Sequence, residues 1–342
     1  MPVGSYQALI AVDPTIMNQS RQPSTLASLL PAARGHVSLF TALALALLAG
    51  SLPCFAGMND TLQAIQQSEF SFARSSSELP FFPIGWTQDR FYPVASFKED
   101  GGNLPSATMV ENTLSVGAVL PAYVAKRDMA LLGGDVAWDD LTVKTGPYAD
   151  QSILRVTPVA AWLHQFGENE TVGAFAAPIL SKNLSDNQAW GISGYAGIIA
   201  LHYFNPEYQL LYGGVYQNSF GQSMGYPYVG LLWLLSPRCQ LSIVFPWPTF
   251  SYAPADRWLL QLGLAPGGSA WDNWENNLQT TESIGSWNLT AGAAYRFYGK
   301  LWLFAGAGVA GLRGIDIETG TDRTTFNSQP SAVFTLAVQF RP

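Results

Sequence analysis

The feature that most constrains this chain is a two-residue alternation that returns many times, with no long apolar run beside it in the body of the sequence. Two stretches show it best. In the first, Trp287, Leu289, Ala291, Ala293, Tyr295 and Phe297 alternate with Ser286, Asn288, Thr290, Gly292, Ala294 and Arg296. Near the end of the chain, Ala332, Phe334, Leu336, Val338 and Phe340 alternate with Ser331, Val333, Thr335, Ala337 and Gln339. Successive side chains of a strand point to opposite faces, so each stretch reads as a strand with one apolar face and one smaller, more polar face. No run in the body of the chain reaches the ~18 apolar residues of a membrane helix.

Alternation alone does not say whether the apolar face meets lipid or a dry core, because a soluble sandwich or lipocalin-like barrel alternates too. Composition favours lipid. Charged residues make up 12% of the 342 positions and aromatics 13%, against a usual ~25% charged. A water-facing exterior needs more Lys and Glu than this. The aromatics gather near strand ends: Trp138, Trp162 with Phe166, Tyr203 with Phe204, Tyr295 with Phe297, and the run Phe245, Trp247, Phe250, Tyr252. Such ends form interfacial girdles in membrane barrels. The net charge of −7 argues against nucleic acid as a partner, since phosphate contacts need a basic face.

The one long apolar stretch lies near the start, over residues 37–56, preceded by Arg21 and Arg34. Its apolar centre runs from Leu39 to Ala49, Pro53 breaks it, and Cys54 and Ala56 stand at −3 and −1 of a cleavage site before Gly57. That is the pattern of a secretory signal peptide. The centre is short for a helical membrane anchor, and Pro53 disfavours a lipoprotein site at Cys54. The long leader also makes Met17 a candidate start. Cleavage leaves Cys239 as the sole cysteine, so no internal disulfide is expected.

The expected organisation is a leader over residues 1–56, a periplasmic tail or plug segment over 57–110, and a barrel over 111–342. The alternating segments, each about the ~9–11 residues of a tilted membrane strand, number about twelve. Residues 86–97 are a weaker strand candidate because of Pro93 and their charges. Residues 145–151, 266–283 and 316–330 read as the longer connections. Twelve strands, however, put the short turns at Pro206 and Pro237 on the wrong side. An extra strand within 266–283 would repair this, and one near Trp86 would then bring the total to fourteen, the alternative.

The closing strand, Ser331 to Phe340, resembles that of bacterial outer-membrane β-barrels, which ends in Phe or Trp and is read by the assembly machinery. Arg341 and Pro342 follow it here, a departure from that ending. The resemblance implies an all-β, antiparallel, up-and-down transmembrane barrel in the bacterial outer membrane, after cleavage near Ala56. Outer-membrane lipid and the barrel-assembly machinery would be its partners. It implies no cofactor, no metal and no enzymatic activity. The leading functional expectation is a pore or channel for small solutes, apolar ones included. Alternatives are a structural or adhesive barrel with a filled lumen, and a barrel hydrolase using Ser223 or a histidine.

Within such a barrel, Asp135, Asp139, Arg155 and Arg296 fall in the polar phase and are expected to line the lumen. Trp138, Trp162, Phe166, Trp247, Trp287, Phe297 and Phe340 are expected at the membrane interfaces. Asp135 and Asp139 lie ~13 Å apart along one strand, too far for paired acid–base work. His164 and His202 share the apolar phase near short turns and read as girdle residues rather than a metal pair. Gly306, Gly308 and Gly311 match a dinucleotide fingerprint but lack the βαβ context. Residues 221–225 match a nucleophile elbow, yet no histidine follows. The acidic stretch from Asp316 to Asp322 reads as a solvated loop, and Trp271 and Trp274 as surface aromatics of an Asn-rich loop.

Overall fold

The computed structural model describes residues 77–99, 106–146, 148–185, 189–218, 224–275, 278–319 and 322–341. The expected signal peptide, its cleavage site, residues 57–76 and Ser223 lie outside the described residues. The described chain is strand and connection throughout. In order it forms β1 (Gly85–Glu99), β2 (Ala107–Val124), β3 (Asp128–Thr145), β4 (Gln151–Phe166) and β5 (Glu170–Asn183). Next come β6 (Gly191–Tyr203), β7 (Tyr208–Gln217), β8 (Met224–Ser236), β9 (Cys239–Val244) and β10 (Thr249–Ala255). The last five are β11 (Trp258–Glu275), β12 (Leu278–Tyr298), β13 (Leu301–Thr319), β14 (Asp322–Ser328) and β15 (Ser331–Phe340).

Every pairing is antiparallel, and the sheet closes on itself. Gly85–Phe91 of β1 runs against residues 334–340 of β15. Both β14 and β15 pair with β13 on one side and β1 on the other. They are one stave, interrupted at residues 329–330, where Pro330 has no N–H to donate. The barrel therefore has fourteen staves, β1 to β13 and the joint β14/β15.

Fourteen, rather than twelve, resolves the conflict over the turns, but one added strand is not where the sequence suggested. β1 falls inside the 57–110 segment expected to precede the barrel, so the barrel begins at Gly85. The other is β10, not a strand within 266–283. β9 and β10 have 6 and 7 residues, below the span template, so the pair read as one strand with an aromatic tail. Residues 266–283 are the top of a continuous β11–β12 hairpin, paired up to Glu275 opposite Leu278. Residues 316–330 are likewise paired rather than looped, with Asp316 opposite Thr325. Above the apolar belt the outward face turns polar and the inward face mixes polar side chains with Trp271, Ile317 and Phe326, so the regular alternation that marks a strand is lost.

The β2–β3, β4–β5, β6–β7, β8–β9, β10–β11 and β12–β13 turns, each of two to four residues, lie at one end, with Gly85 and Phe340. We call this end the foot and the opposite end the rim. Exposed apolar side chains mark the outward face around the ring, among them Leu132, Ile198, Val229, Ile243, Leu262, Leu289, Val309 and Leu336. Phe334 and Leu336 of the closing strand point outward, while Val333, Ala337 and Gln339 are buried. So broad an apolar exterior fits a lipid surface.

The wall is bent along one transverse line. Gly267–Gly268 of β11 faces Gly285 and Ser286 of β12. β12 slips register against β13 between Gly285 and Trp287. β13 carries Leu312 at φ 47° there, opposite the β14/β15 break. β1 slips against β2 between Tyr92 and Ala95. Bulges bend strands and increase their twist, and five neighbouring staves bend together. Gly268 has φ +135°, and a Cβ there would sit 1.9 Å from the Ile284 carbonyl oxygen. Gly285 opposite has open space. Gly268→Ala should therefore lower the stability of the refolded barrel by about 1–3 kcal/mol, with Gly285→Ala nearly silent. Urea unfolding in lipid vesicles measures both, and equal effects would mean that the bend is not set at Gly268.

Candidate functional site

Above the bend, the rim half of β11 and β12 leans across the barrel to the opposite wall. In strand order β4 and β5 stand seven staves from β11 and β12, yet they touch. Gln151 Nε2 donates to Glu282 Oε2 at 3.0 Å. Asn273 Nδ2 donates to Glu282 Oε1 at 2.8 Å, and Asn183 Nδ2 to Asn273 Oδ1 at 3.1 Å. Beneath this polar rim lies a dry core of Ala95, Phe97, Met109, Leu141, Ile153, Trp271, Ile284 and Phe326, with Tyr148, Ile315 and Ile317 packed on it. Tyr148 meets Phe326 edge-on at 5.7 Å. Trp271 is thus a core residue of this cap, not a surface aromatic. Of the Trp274 side chain nothing is described.

Two ion pairs lie on the inward face. Arg155 Nε donates to Asp139 Oδ2 at 2.6 Å and its Nη2 to Oδ1 at 3.2 Å, while Thr113 Oγ1 donates to Asp139 Oδ1 at 2.7 Å. Asp135 stands on the same face, two residues from Ala137, which pairs with Arg155. The second pair joins Arg313 to Glu111. Leu312, in the left-handed region, turns outward to 85% exposure, and Arg313 beside it turns in to 1%. Its guanidinium lies over the rings of Tyr92 and Phe97, at 4.6 and 5.2 Å from their centroids. Nε and Nη1 of Arg313 have no hydrogen-bond partner among the described residues, and the ring faces lie against the guanidinium. Asn288 Nδ2 donates to Tyr92 Oη at 3.0 Å, extending the network to β12.

Between cap and foot the inward side chains are mixed: Asp139, Thr157, Val215, Tyr228 and Val244 are buried, while others are half-exposed. Gln88, Arg90, Thr113, Ser115, Asp135, Gln261 and Thr290 all retain accessible surface, and Tyr195 is exposed. This is a chamber with polar walls on β1 to β3, β11 and β12. On β5 to β9 its wall is apolar: Val215, Tyr228 and Val244, with Phe175, Ile199, Leu211, Tyr226 and Leu232 against them. A shallow, open pocket of about 810 Å³ along β6 to β8 is bordered by Phe175, Val215 and Tyr226 and, from the outward phase, by Ile198, Tyr216 and Pro227, so it is not confined to the chamber.

The foot is crossed by the chain that enters β1. Ile84 N donates to the Phe340 carbonyl at 3.0 Å, and six residues earlier Glu78 N donates to the Pro237 carbonyl at 2.7 Å. Pro237 lies just past β8, seven staves from β1. Residues 78–84 are therefore a strap across the mouth. Leu79 packs with Ala253, Leu259, Ala294 and Trp302. Arg238 holds Glu78 at 2.5 Å and Asp256 at 3.2 Å. Part of the segment expected as tail or plug thus lies across the foot.

Of the four residues expected to line the lumen, Asp135, Asp139 and Arg155 come together on β3 and β4. Arg296 is inward too, but near the foot, with its guanidinium 5.8 Å from the Trp302 ring centre. Glu111 and Arg313 were missed, because nothing in sequence joins residues 202 positions apart, and the bulge that turns Arg313 inward is not visible there. The expected interfacial aromatics fall in two tiers. Trp162, Phe166, Phe297 and Phe340 lie near the foot. Trp138 is higher on β3, and Trp287 lies beside Phe245, which with Trp247 is in the β9–β10 rim turn. His164 stacks on Trp162 at 5.6 Å, meets Phe166 edge-on at 4.4 Å and contacts Asp128 at 2.8 Å. His202 lies against Phe204 on β6. No group of three or more His, Cys, Asp or Glu among the described residues is placed to hold a metal. Gly306, Gly308 and Gly311 lie inside β13 with no helix after them, and Asp316 is engaged by Arg323 at 2.9 Å rather than lying in a loop.

Residues 174–341 match the family described as a domain of unknown function (DUF6268). No curated protein matches the chain. Among solved structures, the translocator domain of autotransporter NalP from Neisseria meningitidis is 11% identical, with 86% of this chain and 99% of that one covered and a TM-score of 0.33. The TodX monoaromatic hydrocarbon channel deltaS2 mutant is 12% identical over 77% of this chain and 91% of its own, with a TM-score of 0.31. A Pseudomonas aeruginosa FadL homologue is 12% identical over 75% and 88%, with a TM-score of 0.31.

Removing one partner of a buried ion pair costs about 3–5 kcal/mol, whereas an exposed pair contributes about 0–1 kcal/mol. Arg313→Met should accordingly cost the barrel several kcal/mol, and Arg323→Met, at the exposed pair with Asp316, less than about 1 kcal/mol. Chemical unfolding in vesicles compares them. Similar losses would show that the Glu111–Arg313 contact does not hold the bent wall.

Proposed function

We propose that this protein is a bacterial outer-membrane channel for small solutes, with apolar ones favoured along one side of its path. The observation that carries this reading is the half-exposed chamber between a cap of buried side chains and a foot crossed by a strap. A barrel kept only as a scaffold has no need of an unfilled middle. The apolar exterior would meet lipid, with Trp162, Phe166, Phe297 and Phe340 at one interface and Trp138, Trp247 and Trp287 toward the other. Short turns belong to the periplasmic side of such barrels, so the foot would face the periplasm. A solute would enter past the shorter β7–β10 wall, follow Phe175, Val215 and Tyr226, and leave at the foot. Asp135, Asp139 and Arg155 would set the local field of the chamber.

The strap is the weaker closure. It is fixed by one buried leucine, by hydrogen bonds from Glu78 N to Pro237 and from Arg341 to the Phe81 carbonyl, and by Glu78–Arg238, an exposed pair of the kind worth about 0–1 kcal/mol. The dry core of the cap supports the alternative, a structural barrel with a filled lumen. Single-channel recording in planar bilayers separates the two readings. The wild-type protein should give discrete conductance steps, and Leu79→Gly combined with Glu78→Ala should raise the open time or the conductance. Silence from both proteins, while each still shows the gel shift on boiling of a folded barrel, would leave the filled barrel as the reading.

A further inference from the structure

We infer that the foot of the barrel holds a binding site for a phosphate-sized oxyanion. This deepens the channel reading above by assigning a charge preference to the path. The charged groups of the chamber are balanced: Arg90, Arg155 and Arg313 stand against Glu111, Asp135 and Asp139. The foot is not balanced in this way. A pocket of about 580 Å³ there is bordered by Glu78, Arg238, Asp256, Arg296, Lys300 and Arg341. Arg238 is the side chain that takes up both carboxylates, Glu78 at 2.5 Å and Asp256 at 3.2 Å. Arg296 and Lys300 border the same pocket with no carboxylate partner among the described residues.

The site is built rather than a scatter of surface charge. Arg296 is opposite Trp302 in the β12–β13 register, and Trp302 is 3% exposed. The guanidinium lies 5.8 Å from that indole's ring centre, a cation–π contact, and both side chains border the pocket. Lys300 lies in the tight turn just beyond, and Arg341 N donates to its carbonyl at 2.9 Å. The Arg341 side chain gives Nε and Nη2 to Gln339 Oε1 at 3.0 and 2.7 Å, and Nη1 to the Phe81 carbonyl at 3.1 Å. The bond to Phe81 ties the strap to the edge of the pocket. A fork-shaped guanidinium and a mobile ammonium on one concave surface suit an oxyanion, with Arg supplying paired donors and Lys a point charge. A mouth whose basic side chains outnumber its carboxylates also concentrates anions.

Two measurements on the full-length protein test this. The first is the 31P linewidth of inorganic phosphate titrated with the refolded barrel in detergent, which needs no conduction. The wild-type protein should broaden the line, and Arg296→Gln with Lys300→Gln should abolish the broadening. Lys126→Gln, at a different foot turn, should retain it. No broadening by the wild type, or broadening that survives the double substitution, overturns the site. The second is the zero-current potential across a bilayer under a KCl gradient. The wild-type channel should favour chloride, and the double variant should lose that preference. A folded barrel that binds phosphate yet never conducts would remove the channel reading and leave the site standing. A conducting barrel whose selectivity ignores both side chains would do the reverse.

Discussion

The structure depends on the closure of its sheet. In a bilayer no water reaches an unpaired backbone N–H or C=O, so a spanning sheet must have no free edge. Here Gly85–Phe91 meets residues 334–340, and that seam fixes much else. Antiparallel closure requires an even number of staves, and it brings Gly85 and Phe340 to the same end. It leaves the tight turns at that end and the tall hairpins at the other. It also explains how Pro330 is tolerated: β13 and β1 pair on both sides of the break, so the stave resumes in register after it.

Closure alone would leave a wide tube. What narrows it is the line of bulges and glycines through β11, β12, β13, the β14/β15 break and β1. Each irregularity alone would only kink a strand. Because they are neighbours, the wall folds inward as a unit, and Trp271, Ile284 and Phe326 reach the side chains of Leu141 and Ile153 from the other wall. The same bend turns Leu312 out and Arg313 in. The buried Glu111–Arg313 pair is therefore better seen as a consequence of the bend, and a check on its register, than as a source of net stability, since desolvation offsets most of what such pairs gain.

How much of this could be read from the sequence follows from where lipid and water lie. Within the apolar belt a strand has one oily face, so the segments around Trp287 and Ser331 were legible almost to the residue. β9 and β10 were too short to carry the pattern separately, and Phe250 and Tyr252 passed for the end of the previous strand. Above the belt, residues 266–283 and 316–330 lose the asymmetry that marks a strand, and paired backbone looked like loop. The inward phase of Asp135, Asp139 and Arg155 was legible from parity. Their joining of Asp139 to Arg155, and the meeting of Glu111 with Arg313, were not, because parity gives a face and never a partner. Trp271 was misread for the same reason: an aromatic beyond the belt has no local sign of whether it turns to water or inward.

The two ends of the chamber are closed by different physics. Seven large side chains are buried in the cap core, from Phe97 to Phe326. Each is worth about 1.5–3 kcal/mol on burial, so even a generous discount for a compact unfolded state leaves a closure of many kcal/mol. The strap buries one leucine and rests otherwise on backbone hydrogen bonds, the Arg341 bond to the Phe81 carbonyl and an ion pair whose members are 42% and 56% exposed. Thermal fluctuation displaces the second far more often than the first, since low local stability and few buried contacts go together. A path through this barrel would then open at the foot, where the strap lies beside Arg296 and Lys300, and the cap would serve as the fixed roof that confines solute to the apolar side.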